Sequence, residues 1–229
     1  MKPLLLSIDT ATEHASVCLT QGDELVVIKS NEDQKSHASF LQPAIKAICD
    51  EAGVQLSAID AVAVTIGPGS YTGLRVGLAS SKGICYALNK PIITLNTLQV
   101  MAYAAIKAYG QTVDNTMLYC PMIDARRKEV FTAVYDHTLK EVEKPAAKVL
   151  DADSFKALLT THKILVSGSG NIKAKEILSS NSHLLFTDVK HSSLQLADLA
   201  YNDFRNGKFN SLAYCEPLYL KEFYSTLQP

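Results

Sequence analysis

No apolar run in this 229-residue chain approaches the roughly 20 residues that a membrane-spanning helix needs. The apolar part of the N-terminal stretch, Leu4 to Ile8, is too short for a signal peptide, and Asp9 ends it. The chain is therefore expected to be cytoplasmic, with no membrane partner. None of the five cysteines, Cys18, Cys49, Cys85, Cys120 and Cys215, forms a C-x-x-C pair, and four lie in apolar segments. They read as small buried hydrophobes in a reducing compartment. An excess of either charge is also lacking: 22 basic and 23 acidic residues leave a net charge of −1. No strong field draws such a protein to nucleic acid, so another subunit is expected to hold most of any phosphate backbone. What is present is a 47% hydrophobic composition, ample for a buried core and incompatible with disorder.

The most informative segment is Gly67-Pro68-Gly69-Ser70-Tyr71-Thr72-Gly73-Leu74-Arg75-Val76-Gly77. It follows an apolar strand, Ala61 to Ile66, and leads into a helix, Leu74 to Leu88. A glycine-rich loop between strand and helix brings backbone N–H groups and a positive helix end to an anion. Arg75 offers a fork for phosphate or carboxylate. The loop nevertheless fits neither common nucleotide fingerprint. Its third glycine, Gly73, falls one residue late for G-x-G-x-x-G, and a P-loop lysine is missing. The same glycines equally suit tight packing of helix on sheet, and both readings stay open on residue chemistry alone.

Patterning predicts strands at Leu4–Ile8, Ala15–Leu19 and Leu25–Ile28, then a helix over Ser36–Ala52 ending at Gly53. Pro43 inside that helix predicts a kink or a later start. Strand Ala61–Ile66, helix Leu74–Leu88, strand Pro91–Thr94 and an amphipathic helix Leu98–Tyr109 complete a β-β-β-α-β-α-β-α order. The second half begins likewise, with strands Met117–Ile123 and Val130–Tyr135 about a turn at Asp124–Lys128. A short strand near Lys148–Leu150, a helix Asp153–Thr160, and a strand Lys163–Val166 running into Gly168-Ser169-Gly170 follow. A weak helix, a strand Leu184–Val189, a helix capped by Ser193 and an extended tail Pro217–Leu220 end the reading. Two similar element orders predict a duplicated α/β fold, with lobes over residues 1–107 and 108–229 and a final segment free to pack back on the first lobe. The boundary falls near Lys107–Asn115.

The order opening on Ile8-Asp9-Thr10 resembles the actin, sugar-kinase and heat-shock-chaperone superfamily. Each lobe is then a mixed, ribonuclease H-like sheet flanked by helices. Gly67 to Arg75, Ser36-His37 with Leu41 and Pro43, Asp124-Ala125-Arg126-Arg127-Lys128-Glu129-Val130, and Pro217 with Tyr219 resemble the motifs of the bacterial TsaB family. These motifs cover most of the first 135 residues and the end, while Lys140–Lys190 matches weakly. The resemblance implies a non-catalytic relative of TsaD, the transferase that places threonylcarbamoyl on the adenosine beside the tRNA anticodon. TsaD is the implied direct partner, TsaE joins the complex, a homodimer forms when the chain is alone, and tRNA is met indirectly.

The catalytic relatives hold a metal through two histidines one helical turn apart. His37 has Leu41, not histidine, at that spacing, so a cap or surface role is expected and no metal site is assigned. His14, His137, His162, His183 and His191 show no ligand spacing. No G-x-S-x-G elbow surrounds Ser70 and no base lies near it in sequence, which leaves a peptidase as the least favoured alternative. A small-substrate kinase of the superfamily is the main alternative. It needs carboxylates from both lobes, here Asp9 and, less clearly, Asp124. The expected state is a vestigial phosphate cleft of Asp9, Thr10, Thr12, Gly67, Gly69, Ser70, Gly73, Arg75 and Asp124. No cofactor is required by this chain alone, and affinity for ATP or ADP is weak at most. Arg126, Arg127 and Lys128 either touch phosphate or pair with Asp124 and Glu129; the net charge favours a structural or intersubunit role. No catalytic residue is assigned. Function is placed on the two adjacent helices, with Phe40, Leu41, Ile45, Ala79, Gly83 and Ile84 as the partner surface.

Overall fold

The computed structural model describes residues 2–33, 36–109, 116–178 and 181–221. Its first sheet comprises β1 (Leu4–Asp9), β2 (Ala15–Gln21), β3 (Glu24–Asn31), β4 (Ala61–Gly67) and β5 (Ile92–Asn96), in the order β3-β2-β1-β4-β5. The hairpin strands pair antiparallel, and β1, β4 and β5 pair parallel. The second sheet, β6 (Met117–Asp124), β7 (Glu129–Tyr135), β8 (Glu141–Val149), β9 (Lys163–Ser167) and β10 (Leu184–Phe186), has the order β10-β9-β6-β7-β8. Counted within each half, both sheets run 3-2-1-4-5, the topology expected of a duplicated actin-like fold.

β1 is apolar on both faces because both are covered. Leu4, Leu6 and Ile8 pack with Leu41, Ile45 and Ile48 of α1 (His37–Ala52) and Leu78 and Cys85 of α2 (Tyr71–Leu88). Leu5, on the opposite face, packs with Val100 of α3 (Thr97–Tyr109) and with Leu196 and Ala200 of α6 (Ser193–Arg205). Strand periodicity of two produces this division. The other side of α3 places Leu98, Met101 and Ala105 against Tyr119 and Ile123 of β6, so this helix joins both sheets. The remaining helices, α4 (Lys156–Leu159) and α5 (Asn171–Leu178), cover the outer face of the second sheet.

Several boundaries differ from the sequence reading. Ser70 caps α2 by accepting from Gly73 N at 3.3 Å, so the helix starts at Tyr71 and takes in half of the glycine segment. α1 starts at His37 and runs through the exposed Pro43, which excludes a later start. Ser192, not Ser193, caps α6, in a capping box with Gln195. β8 is a nine-residue edge strand rather than a short one near 148–150. Its exposed run of mixed Glu and Lys around Pro145 hides the signal. The helix expected over 153–160 is confined to Lys156–Leu159, and β10 stops at Phe186. Residues 110–115 of the expected lobe boundary lie outside the described residues.

Candidate functional site

β1 ends in Asp9, and the chain then turns through Thr10–Glu13 toward the glycine loop. Asp9 is fully buried. Its Oδ1 accepts from Thr65 Oγ1 at 2.8 Å and from Ala11 N at 3.1 Å. Its Oδ2 stands 3.3 Å from Nε2 of His191, which the segment before α6 brings over the first sheet. Burial alone pushes this carboxyl up. The His191 imidazole beside it, with the Ala11 N–H and the Thr65 hydroxyl, outweighs burial and holds the group below its ordinary value. The sequence reading missed His191, because 182 residues of chain separate it from Asp9 and no motif surrounds it.

The glycine loop packs closely against the first hairpin. A Cβ on Gly69 would collide with the Ala11 carbonyl, one on Gly73 with the Thr10 carbonyl, and one on Gly77 with the Thr10 hydroxyl. Ser70 N donates to Ala11 O at 2.7 Å, and Thr10 Oγ1 donates to Gly73 O at 2.7 Å. Gly67, at φ 119°, lies under the Leu218 carbonyl, and Leu218 N donates back to Ile66 O at 2.7 Å. These glycines serve close packing of the first hairpin and the C-terminal strap on α2. Close packing, one of the two roles that the sequence left open for this loop, is thus seen at Gly67, Gly69 and Gly73.

Arg75 is likewise engaged elsewhere. Its guanidinium lies 4.0 Å from the Tyr71 ring centroid, and its Nε donates to Tyr219 Oη at 3.0 Å. The Tyr71 and Tyr219 rings are 5.4 Å apart. Between the lobes lies a cleft of about 800 Å³ whose walls include Thr12, Gly69, Ser70, Tyr71, Asp124 and Arg126. Thr12, Ser70, Gly69 and Asp124 thus come together, whereas Asp9 and Thr10 are buried beneath. Asp124 Oδ1 accepts from Lys173 Nζ at 2.6 Å and from Arg126 N at 2.7 Å. Lys173 is the main reason its carboxyl is held below the usual range. A second cavity of about 220 Å³ runs from Thr12 past Asn171 and Lys175 to His191.

His37 is buried, with Nε2 3.2 Å from Glu13 O, so a surface position is excluded. Among the described residues, no group of three His, Cys, Asp or Glu side chains is placed to hold a metal ion. Leu41 and Ile45 lie in the first-lobe core, and Phe40 and Ile84 pack partly against it. The inward stripe of α1 claims Leu41, Ala44, Ile45 and Ile48, which removes Leu41 and Ile45 from the expected partner surface. Ala79 and Gly83 are exposed on α2. So is Tyr86, at 83%. Tyr214, at 86%, is set beside this helix by Lys82 Nζ, which donates to Ala213 O and Cys215 O.

These features define a duplicated actin-like α/β chain with a cleft between two similar sheets. A family model described as "TsaD: tRNA N6-adenosine threonylcarbamoyltransferase" matches residues 28–223, and the chain belongs to that family. It is 33% identical over 156 residues to an uncharacterized protein of Mycobacterium tuberculosis, covering 67% of this chain and 69% of that one. It is 35% identical over 127 residues to the tRNA threonylcarbamoyladenosine biosynthesis protein TsaB of Haemophilus influenzae, covering 56% of this chain and 51% of the relative. The match thus spans about half the length of that relative. The solved structure of YeaZ from Pseudomonas aeruginosa superposes with a TM-score of 0.78 at 26% identity, covering 95% of this chain and all of that one. The TsaB resemblance read from the motifs is thereby shown. Among the described residues, no helix is long and apolar enough to cross a membrane.

Proposed function

We propose that this chain is a non-catalytic scaffold in the synthesis of tRNA threonylcarbamoyladenosine beside the anticodon, acting by binding and activating a TsaD-type sister. A TsaE-type ATPase joins the complex, and the chain pairs with itself when alone. The observation that carries this reading is the use made of the ancestral site. Asp9 is committed to Thr65, Ala11 and His191, and the glycine loop is packed on Thr10 and Ala11. A phosphoryl-transfer site needs such a carboxylate and loop directed at ligand.

With that chemistry displaced, the exposed face of α2 supports an adhesive role. Ala79 and Gly83 lie one turn apart and let a partner helix approach, and a Cβ on Gly83 would meet open space. Tyr86 and Tyr214 supply exposed aromatic anchors of the kind that dominate interfaces. Gln42 of α1 bonds Ser80 of α2 at 2.9 Å and holds the two helices as one surface. Light scattering on the chain mixed with its TsaD homologue, alongside a threonylcarbamoyl-transfer assay, tests the proposal. The expected result is exchange of a homodimer for a heterodimer and transfer only in the mixture. Transfer or brisk ATP hydrolysis by the chain alone would overturn it, as would failure to associate.

A further inference from the structure

The turn between β6 and β7 carries Arg126, Arg127 and Lys128 at φ 63°, 49° and 63°. Three successive non-glycine residues in the left-handed region are held against a cost of roughly 1–2 kcal/mol each. Their supports come from other elements. Lys173 of α5 bonds Asp124 and, at 3.2 Å, the Glu129 carbonyl. Lys221 of the strap donates to Ala125 O at 3.2 Å and pairs with the Glu129 carboxylate. The two acids that a simple ion-pair network would assign to the turn are thus taken by lysines from outside it. Five cations gather about two carboxylates, with Glu13 across the cleft, in a chain whose net charge is −1. The strap continues this positive ground to exposed aromatics. Lys221 lies two residues from Tyr219, which meets Tyr71 and Arg75 at the start of α2. Tyr71 and Arg126 share the cleft wall.

We propose that the Arg126–Lys128 turn, with Tyr71 and Tyr219 positioned beside it by Arg75 and Lys221, forms one band that binds an unpaired RNA segment, with Arg126 and Lys128 on phosphates and tyrosine faces against unstacked bases. Alternation of cations with exposed rings is the chemistry of single-stranded nucleic-acid recognition. An acidic protein segment would call for apolar anchors, and the most exposed of these, Tyr86 and Tyr214, lie on the α2 face instead. The identity of the RNA as tRNA rests on the scaffold reading; the band itself does not.

The test uses a tRNA transcript with adenosine next to its anticodon. Its binding to the full chain, alone and with the TsaD homologue, is followed by fluorescence anisotropy from 50 to 200 mM salt. Arg126→Gln/Lys128→Gln is expected to weaken binding about tenfold and to lower the salt slope by about 1.4, or about 0.7 per lost phosphate contact on an unpaired strand. Tyr219→Leu is expected to weaken it about tenfold with the slope retained. Lys156→Gln, at an exposed site on α4, is the control for general charge. Circular dichroism and co-elution with the sister chain are read on every variant. Unchanged tRNA affinity in folded variants overturns the proposal. So does loss of sister binding with tRNA binding intact, which would make the turn a protein contact. If the wild-type pair fails to associate while the chain alone binds tRNA, the scaffold reading falls and the band stands.

Discussion

Replacing His191 with alanine should reverse the way Asp9 couples stability to pH. In the intact protein the Asp9 carboxyl sits below its ordinary value. Its contribution is therefore complete above the unfolded value of about 3.9 and is lost as pH falls through the lower folded value. Burial is the largest influence on this group and opposes ionisation; His191 is what overcomes it. His191→Ala leaves a fully buried carboxylate with only the Thr65 hydroxyl and Ala11 N–H. Breaking one side of a buried pair costs about 3–5 kcal/mol. For a chain of this length that lowers the melting temperature by roughly 10 °C. With the imidazole gone, burial should raise the carboxyl above its unfolded value, so Asp9 destabilises the variant at neutral pH and acidification relieves it. Urea titrations of wild type, His191→Ala, Asp9→Asn and the double variant at pH 7.5 and 4.5 measure this. The gap between wild type and His191→Ala should narrow at pH 4.5, and the double variant should recover part of the loss. A deficit under about 1 kcal/mol at pH 7.5, or one independent of pH, refutes the reasoning.

Gly73→Ala should destabilise by more than about 2 kcal/mol, since its Cβ meets the Thr10 carbonyl, whereas Gly83→Ala should be neutral or gain about 1 kcal/mol of helix propensity. Thermal melts of the two compare them directly. Leu41→Ala should lower the unfolding midpoint by the equivalent of about 2–5 kcal/mol, while Ala79→Asp should abolish partner association with unchanged circular dichroism. Equal effects of both on folding would return Ala79 to the core. Burial pushes the Cys18 and Cys120 thiols up to about 12 and Cys85 to about 11. Native thiol titration should therefore label the partly exposed Cys215 first and leave these three unreacted until the chain unfolds.

The topology was legible because periodicity survives in its buried strands and in α1, α2, α3 and α6, and because the glycine segment punctuates β4 and α2. β8 was obscured because an edge strand alternates polar residues as well as apolar ones. The site was less legible for a different reason. A glycine that admits an anion and one that admits a neighbouring backbone look the same in one dimension, and the close approach of the Ala11 and Thr10 carbonyls is set by residues about 60 positions away. The Asp9–His191 pair lay beyond local spacing altogether. Leu41 and Ile45, expected on the partner surface, both fit the single inward stripe of α1.

α6 lies late in the chain, yet Leu196 and Ala200 seal Leu5, Ala61 and Ala63 of the first sheet, and Ser193 N donates to Ser16 Oγ at 2.7 Å. A ribosome making this protein therefore releases an opening half whose greasy back is covered only in part, by α3, until α6 has emerged. Nascent chains stalled before residue 190 should consequently be protease-sensitive and chaperone-bound, and a cut made there should leave no free-standing N-terminal half.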